Sequence, residues 1–423
     1  MSQQAWFREA RYGAMIHFGT YALTGWEAAW SLQWGAISYR DYESLADRFN
    51  PQKYDPRAWA QLMIKAGIKY VVFTAKHHDG FALWDTQLSD YSAPKRAAQR
   101  DLVRPYVEAF RDAGLRVGLY LTLPDWHHPD YPVGIINPLP RRVRPASALP
   151  PNVPASIESA PERWDRYIAF LHGQVRELLT MFGAIDLFWF DGHWEHTAEE
   201  WRARDLVAMM RELQPGIVIN DRLGEPGIGD YGTTEQFIPI EPLQGDWETC
   251  MTVNETWSYS PTDMAFKPCA ELIATLADVV ARGGNLLLGI GATADGEIPP
   301  EFSSRLRVVG KWLERNGESI YGAGRGLPLG ACHYPTTARD NAIYIHVLGR
   351  PAGDVVRVLA LDRLVRDARI LATGEPLALD PDRAHPRDVI RNPPHVSPLR
   401  IHLPAQLLDP YDTVIKLELE VTR

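Results

Sequence analysis

The amino-acid sequence predicts an α/β protein: a (β/α)8-like, TIM-type barrel followed by a C-terminal β-sandwich. Three observations carry this reading. Up to about Gly317, short β-type runs alternate with helical patterns, the signature of a parallel α/β fold. No glycine-rich phosphate loop follows the first strand, as an open doubly wound sheet would usually show. After about Gly322 the helical periods stop, and short strands and turns take over.

The elements follow in order. Strands are expected at 13–17, 69–74, 115–122, 184–190, 217–220 and 285–290, with weaker candidates near Tyr231 and Thr249. Most are near-continuous apolar runs, as strands buried on both faces should be. Between them, Ile168, Leu171, Val175, Leu178 and Phe182 form one helical stripe, and Leu272, Leu276 and Val279 another. A third, Phe302, Leu306, Val309 and Leu313, follows Pro299-Pro300 and stops at Asn316-Gly317. Residues 132–163, rich in Pro, Ala and Arg, lack any period and read as a long loop beside the barrel mouth. Near the C-terminus Ile415, Leu417, Leu419 and Val421 alternate with Lys416, Glu418 and Glu420, a half-buried antiparallel strand. The expected division is a barrel over 1–320 and a sandwich over 321–423.

Bulk properties exclude several function classes. The 423 residues are 45% apolar, enough for a sizeable core, and carry a net charge of −9. That balance argues against a nucleic-acid surface, which needs clustered Lys and Arg. No apolar run reaches the ~18 residues that span a bilayer. The first residues lack the charged and apolar regions of a secretory signal, so a cytoplasmic protein is expected, with no membrane partner. Cys250, Cys269 and Cys332 are far apart and odd in number, and read as reduced. Oligomeric state is not legible. Tryptophan is abundant, and Trp126, Trp189, Trp194 and Trp247 stand beside polar residues at the ends of apolar runs. Aromatic faces stack on sugar C–H surfaces, so this pattern suits a carbohydrate site.

In a barrel, catalytic groups lie at the C-terminal ends of strands. Five clusters close apolar runs in this way: His17; Lys76-His77-His78-Asp79-Gly80; Asp125-Trp126-His127-His128; Asp191-Gly192-His193-Trp194; and Asn220-Asp221-Arg222. Asp191 is the strongest candidate nucleophile, because a rigid apolar strand delivers its carboxylate to the mouth and Gly192 lets the chain turn. Glycosidic chemistry needs a second carboxylate. Glu235 and Glu248 both qualify, and chain position alone does not separate them. His77-His78 and His127-His128 are adjacent pairs, and neighbours on a strand point to opposite faces. They suit hydrogen bonding to a polyhydroxylated ligand better than zinc, and neither a metal nor a cofactor is expected.

These clusters, in this order, resemble glycoside hydrolase family 29, the retaining α-L-fucosidases. The resemblance runs from Trp6 through His17-Phe18-Gly19, Lys76-His77-His78-Asp79-Gly80-Phe81, Trp189-Phe190-Asp191-Gly192, Asn220-Asp221-Arg222, Trp247-Glu248-Thr249-Cys250 and Gly283-Gly284-Asn285, as far as the helix ending near Tyr321. It implies Asp191 as nucleophile and Glu235, in Thr234-Glu235-Gln236, as acid/base of the subgroup acting on α-1,3/1,4-linked fucose, with Glu248 as the alternative. It implies that His17, His77, His78 and Arg222 bind fucose hydroxyls, with Trp30 as the pocket tryptophan; Trp126, from the tryptophan pattern, is a further candidate for binding the sugar. The implied partner is a fucosylated oligosaccharide or glycoconjugate. The chain departs from the family in having Ala29 where a Glu usually precedes Trp30, with Glu27 nearby, and Gly289-Ile290-Gly291-Ala292 near the barrel's end.

Overall fold

In the computed structural model, which describes residues 4–132, 146–241, 243–351, 353–359, 361, 363–381 and 399–420, the first strand, β1 (Tyr12–His17), is buried along its whole length. It starts a set of eight: β2 (Tyr70–Lys76), β3 (Arg116–Thr122), β4 (Leu187–Asp191), β5 (Val218–Ile219), β6 (Gly232–Glu235), β7 (Trp247–Thr252) and β8 (Asn285–Gly291). They form one parallel sheet in the order β5-β4-β3-β2-β1-β8-β7-β6. A parallel bridge between Asn220 and Tyr231 joins the two edges and closes the barrel. Both weak strand candidates are strands. The fourth starts later than expected, at Leu187; Asp186 just before it bonds through its backbone to Val117 and Val218, and its carboxylate also accepts from Val117 N and Arg116.

Residue alternation divides the apolar side chains into two sets. Met15, Tyr70, Val72, Tyr120, Leu187, Trp189, Val218, Tyr231, Cys250 and Leu287 fill the barrel interior, joined from the helix Ala5–Ala10 by Phe7. The opposite faces pack against the surrounding helices, among them Pro161–Met181, Cys269–Ala281 and Pro300–Asn316. The last of these ends at Asn316 as expected, but Gly317 keeps a right-handed conformation and opens a 3-10 turn, Gly317–Ser319. Of the expected loop at 132–163, residues 133–145 lie outside the described residues. The remainder holds a 3-10 turn at Ala146–Ala148 and the start of the helix Pro161–Met181.

The C-terminal region is antiparallel. β9 (Gly324–Arg325), β10 (Thr336–Arg339), β11 (Ala342–Leu348), β13 (Val365–Ile370) and β16 (Asp412–Leu419) make a five-stranded sheet. β12 (Val355–Val358), β14 (Leu379–Pro381) and β15 (Leu399–His402) make a three-stranded one. Ile343, Ile345, Ile415 and Leu417 from the first pack with Val356, Val358 and Ile401 from the second, the core of a sandwich. Ile415, Leu417 and Leu419 are buried between half-buried Lys416 and Glu418, the expected alternation; Val421 lies outside the described residues. Trp312 Nε1 donates to the Asp412 carbonyl across 3.1 Å, tying the last barrel helix to β16.

Candidate active site

The C-terminal ends of the barrel strands converge on a small cavity lined by Met15, His17, Trp30, His77, Tyr120, Trp189, Asp191, Trp194, Arg222, Glu235, Cys250 and Trp257. Strand alternation explains the set. Met15 and His17 share one face of β1, and Trp189 and Asp191 one face of β4.

Asp191 is the last residue of β4, and its side chain is held on both oxygens. Arg222 Nη1 donates to Oδ1 across 2.8 Å, and the Tyr120 hydroxyl donates to Oδ2 across 2.9 Å. His78 Nε2 lies 3.7 Å from Oδ2. Burial by itself raises the carboxyl's pKa, but the positive field of Arg222, with His78 and His193, outweighs it and holds Asp191 below its ordinary value. Gly192 follows at φ +76°, where a side chain would strike the Pro124 ring at 2.3 Å. The chain can turn away beneath the carboxylate only with glycine there.

Arg222 is 6% exposed and also donates through Nη2 to Glu235 Oε2 across 2.8 Å, so one guanidinium spans both carboxylates. It sits 4.6 Å above the Trp189 ring centre, and its Nε donates to Thr233. Glu235 ends β6 with its side chain 41% exposed at the open side of the cavity. Glu248 lies elsewhere. Two residues before Cys250 on β7, it is fully buried and does not line the cavity. The Tyr70 and Tyr231 hydroxyls and Trp189 Nε1 donate to its carboxylate. Burial pushes its pKa up to about 7, against the lowering effect of those donors and of Arg222.

The histidine pair stands where β2 has ended. Lys76 is buried against Asp125 Oδ2 at 3.0 Å and Gln174 at 2.8 Å. Asp79 accepts from Thr20 and Tyr42, and Asp125 accepts from the backbone N–H groups of His127 and His128. Gly80, at φ +78°, passes so close to Asp125 that a side chain would meet its Oδ1 at 2.2 Å. Between these anchors His77 reaches the cavity wall, 5.7 Å from the His17 ring. His78 donates to or accepts from Thr122 through Nδ1 and stacks on Trp126 at 4.7 Å. Burial keeps His17 down to about 3 and His77 well below the ordinary histidine value, so both rings are neutral near pH 7. Among the described residues, the Nδ1 atoms of His17 and His77 are buried without a hydrogen-bond partner, two polar atoms left for a ligand.

The remaining sequence candidates divide. Trp30 is on the wall, edge-on to His78 at 5.6 Å. Trp126 is buried behind His78, off the wall, and its Nε1 donates to Glu195. Neither His127 nor His128 reaches the cavity; His127 pairs with Glu43. Glu27 does not line the cavity either: its carboxylate accepts the Trp257 N–H at 3.0 and 3.1 Å and so fixes that wall residue. Sequence reasoning missed Met15, Tyr120, Cys250 and Trp257. The first three lie inside strands buried on both faces, where only knowledge of which face points inward would have marked them. Among the described residues no group of three His, Cys, Asp or Glu side chains is placed to hold a metal ion. Nor, among them, is any helix long and apolar enough to cross a membrane.

Comparisons with known proteins identify the family. The alpha-L-fucosidase family model matches residues 1–318. The tissue alpha-L-fucosidase of Rattus norvegicus is 31% identical over 387 residues, covering 84% of this chain and 78% of that one. Its Homo sapiens counterpart is 32% identical over 344 residues, covering 75% and 69%. Among solved structures, alpha-L-fucosidase isoenzyme 1 from Paenibacillus thiaminolyticus is similar with a TM-score of 0.86 at 38% identity, covering 99% of each chain. A family 29 alpha-L-fucosidase from Bacteroides thetaiotaomicron, trapped as a covalent intermediate with 2-fluoro-fucosyl fluoride, is similar with a TM-score of 0.82 at 26% identity over 99% of this chain and 96% of that one. This chain therefore belongs to glycoside hydrolase family 29, the α-L-fucosidases.

Proposed function

We propose that the chain is an exo-acting retaining α-L-fucosidase that removes terminal fucose from oligosaccharides or glycoconjugates, with the chemistry in residues 1–320 and 321–423 as a supporting sandwich. The observation that carries this reading is the single Arg222 guanidinium spanning Asp191 and Glu235, 2.8 Å from each. A retaining pair stands about 5–5.5 Å apart, a separation one bridging guanidinium permits. Asp191, kept ionised, attacks the anomeric carbon while Glu235, as the acid, gives its proton to the departing glycosidic oxygen. The fucosyl–Asp191 ester then reacts with water, whose proton passes to the Glu235 carboxylate as the ester bond breaks. Two inversions leave the product α.

His17 and His77, as neutral rings with a free nitrogen each, match sugar hydroxyls, as do His78 and Arg222. Trp30 and Trp194 supply apolar walls, and Trp126 acts through His78. Glu235 is favoured over Glu248 as the acid because it opens on the cavity, where a leaving group would stand. The linkage we propose is α-1,3/1,4, on the likeness of Thr234-Glu235-Gln236 to that subgroup. The test is proton NMR of the first-formed product from an aryl α-L-fucoside, together with a panel of α-1,2-, α-1,3-, α-1,4- and α-1,6-fucosylated oligosaccharides. Initial β-fucose, or no turnover, overturns the mechanism; preference for α-1,2 or α-1,6 overturns only the linkage.

A further inference from the structure

Twelve of the 14 tryptophans are buried or half-buried; the two exposed ones, Trp26 at 48% and Trp34 at 53%, join through ring contacts to the cavity wall at Trp30. Their rings contact each other edge-on at 6.5 Å, and Trp34 lies 6.1 Å from the cavity residue Trp30 at an interplanar angle of 34°. Trp30 in turn stacks on Trp194, also on the wall, at 6.5 Å and 15°. The aromatic surface is thus continuous from the catalytic cavity to solvent.

The supporting backbone is anchored. Trp26 N donates to Thr24, and the Trp26 carbonyl accepts the Ser258 hydroxyl at 2.9 Å. The same Ser258 oxygen accepts Ala28 N at 2.8 Å, and Glu27 binds Trp257 N. Ala28, at φ +39°, holds a left-handed conformation that a chain free to relax would leave. Exposed indoles on a fixed frame bind a flat apolar face with little ordering cost, and scattered incidental ones would not cluster at one cavity.

We propose that Trp26 and Trp34 form the platform for the sugar that carries the fucose: a neutral pyranose whose C–H face lies on the indoles while its fucosyl substituent enters the cavity. The inference rests on the α-L-fucosidase reading, and its test separates the two. Trp26→Ala, Trp34→Ala and the double variant are assayed with a fucosylated trisaccharide and with α-L-fucosyl fluoride, whose leaving group has no ring to stack. The double variant is expected to lose roughly tenfold or more in kcat/KM on the trisaccharide, mostly through KM, and less than about twofold on the fluoride. An unchanged trisaccharide kcat/KM overturns the platform. Equal losses on both substrates also overturn it, since the residues would then support the cavity itself. A change of mass in solution with unaltered kinetics would assign the patch to a second copy of the chain instead, and overturn it too. No turnover of the fluoride by the unsubstituted protein would overturn the underlying reading.

Discussion

Trp189 Nε1 donates to Glu248 across 2.9 Å inside the barrel, and the same indole carries the Arg222 guanidinium 4.6 Å from its ring centre. A carboxylate buried beneath the cavity is therefore linked, through one aromatic ring, to the arginine that spans Asp191 and Glu235. Tyr120, the other group on Asp191, also stacks on Trp189, at 5.6 Å and 16°.

From this linkage Glu248→Ala is expected to fail in a different way from loss of an acid. It leaves the Tyr70, Trp189 and Tyr231 donors unpaired in the interior, each orphan costing about 1–3 kcal/mol, so the unfolding midpoint in urea falls. Activity drops on all fucosides alike, and added azide restores none of it. Rescue by azide would make Glu248 the acid. The pH dependence has a definite sign. The folded pKa, about 7, lies above the ordinary 4.5, so this group's contribution is fully present below 4.5 and is lost as pH rises through about 7. Glu248→Gln removes that decline, which denaturant titration between pH 4 and 8 measures.

Asp191 and Glu235 are separated by leaving-group dependence. Asp191→Ala is expected to lose many powers of ten on every substrate. Glu235→Ala loses most on oligosaccharides and least on an aryl fluoride or nitrophenolate, because an acid matters most when the leaving group is poor. With Glu235→Ala the fucosyl-enzyme accumulates, and azide speeds its breakdown to the α-fucosyl azide. Absence of that product from Glu235→Ala, with its appearance from Glu248→Ala, would reverse the assignment.

Neutral histidines carry a third expectation. His77→Ala and Arg222→Ala should each lower kcat/KM without altering the metal content of the purified protein; stoichiometric zinc lost with His77 would refute a hydrogen-bonding role. His17, with its folded pKa down at about 3, favours the folded state at neutral pH, and that contribution is lost as pH falls from 6.5 towards 3. His17→Gln should flatten stability across that window.

The buried Lys76–Asp125 pair sets a fourth. Asp125→Ala strands a buried ammonium beside Gln174 and the Phe170 ring, and losses of this type are about 3–5 kcal/mol. Lys76→Met with Asp125→Leu should recover much of the stability but little of the activity, since Asp125 also holds the backbone after Trp126. Thermal melts of the single and double variants decide it; an additive loss would mean the two side chains are not coupled.

Much of the site was legible because barrel strands are apolar and end abruptly. His17, Lys76-His77-His78, Asp191 and Arg222 stood out as polar residues closing greasy runs. Glu235 did not: β6 has four residues, and its run Gly232-Thr233-Thr234 carries no apolar signal, so chain position left it level with Glu248 and only the family resemblance favoured it. Glu235 and Glu248 looked equivalent along the chain because depth in a barrel is a property of register between strands. β6 and β7 pair Glu235 with Cys250, placing Glu248 one interior step lower. Tyr120, Met15 and Cys250 were invisible for the complementary reason: strands buried on both faces give no alternation to reveal which face points inward.

The barrel's closure has a consequence of its own. Between β5 and β6 the backbone ladder shrinks to the Asn220–Tyr231 bridge and the Asp230 N–H on Ile219 O, and side chains supplement it: the Asp230 carboxylate accepts Ile219 N across the seam, while on the other flank of β5 the Asn220 amide both donates to Phe190 O and accepts Phe190 N of β4. Elsewhere in the sheet the ring is written in main-chain atoms that every amino acid shares. On the two flanks of β5 it also depends on the identity of Asn220 and Asp230, so that a change of letter there would weaken the ring directly beside Asp191 and Arg222.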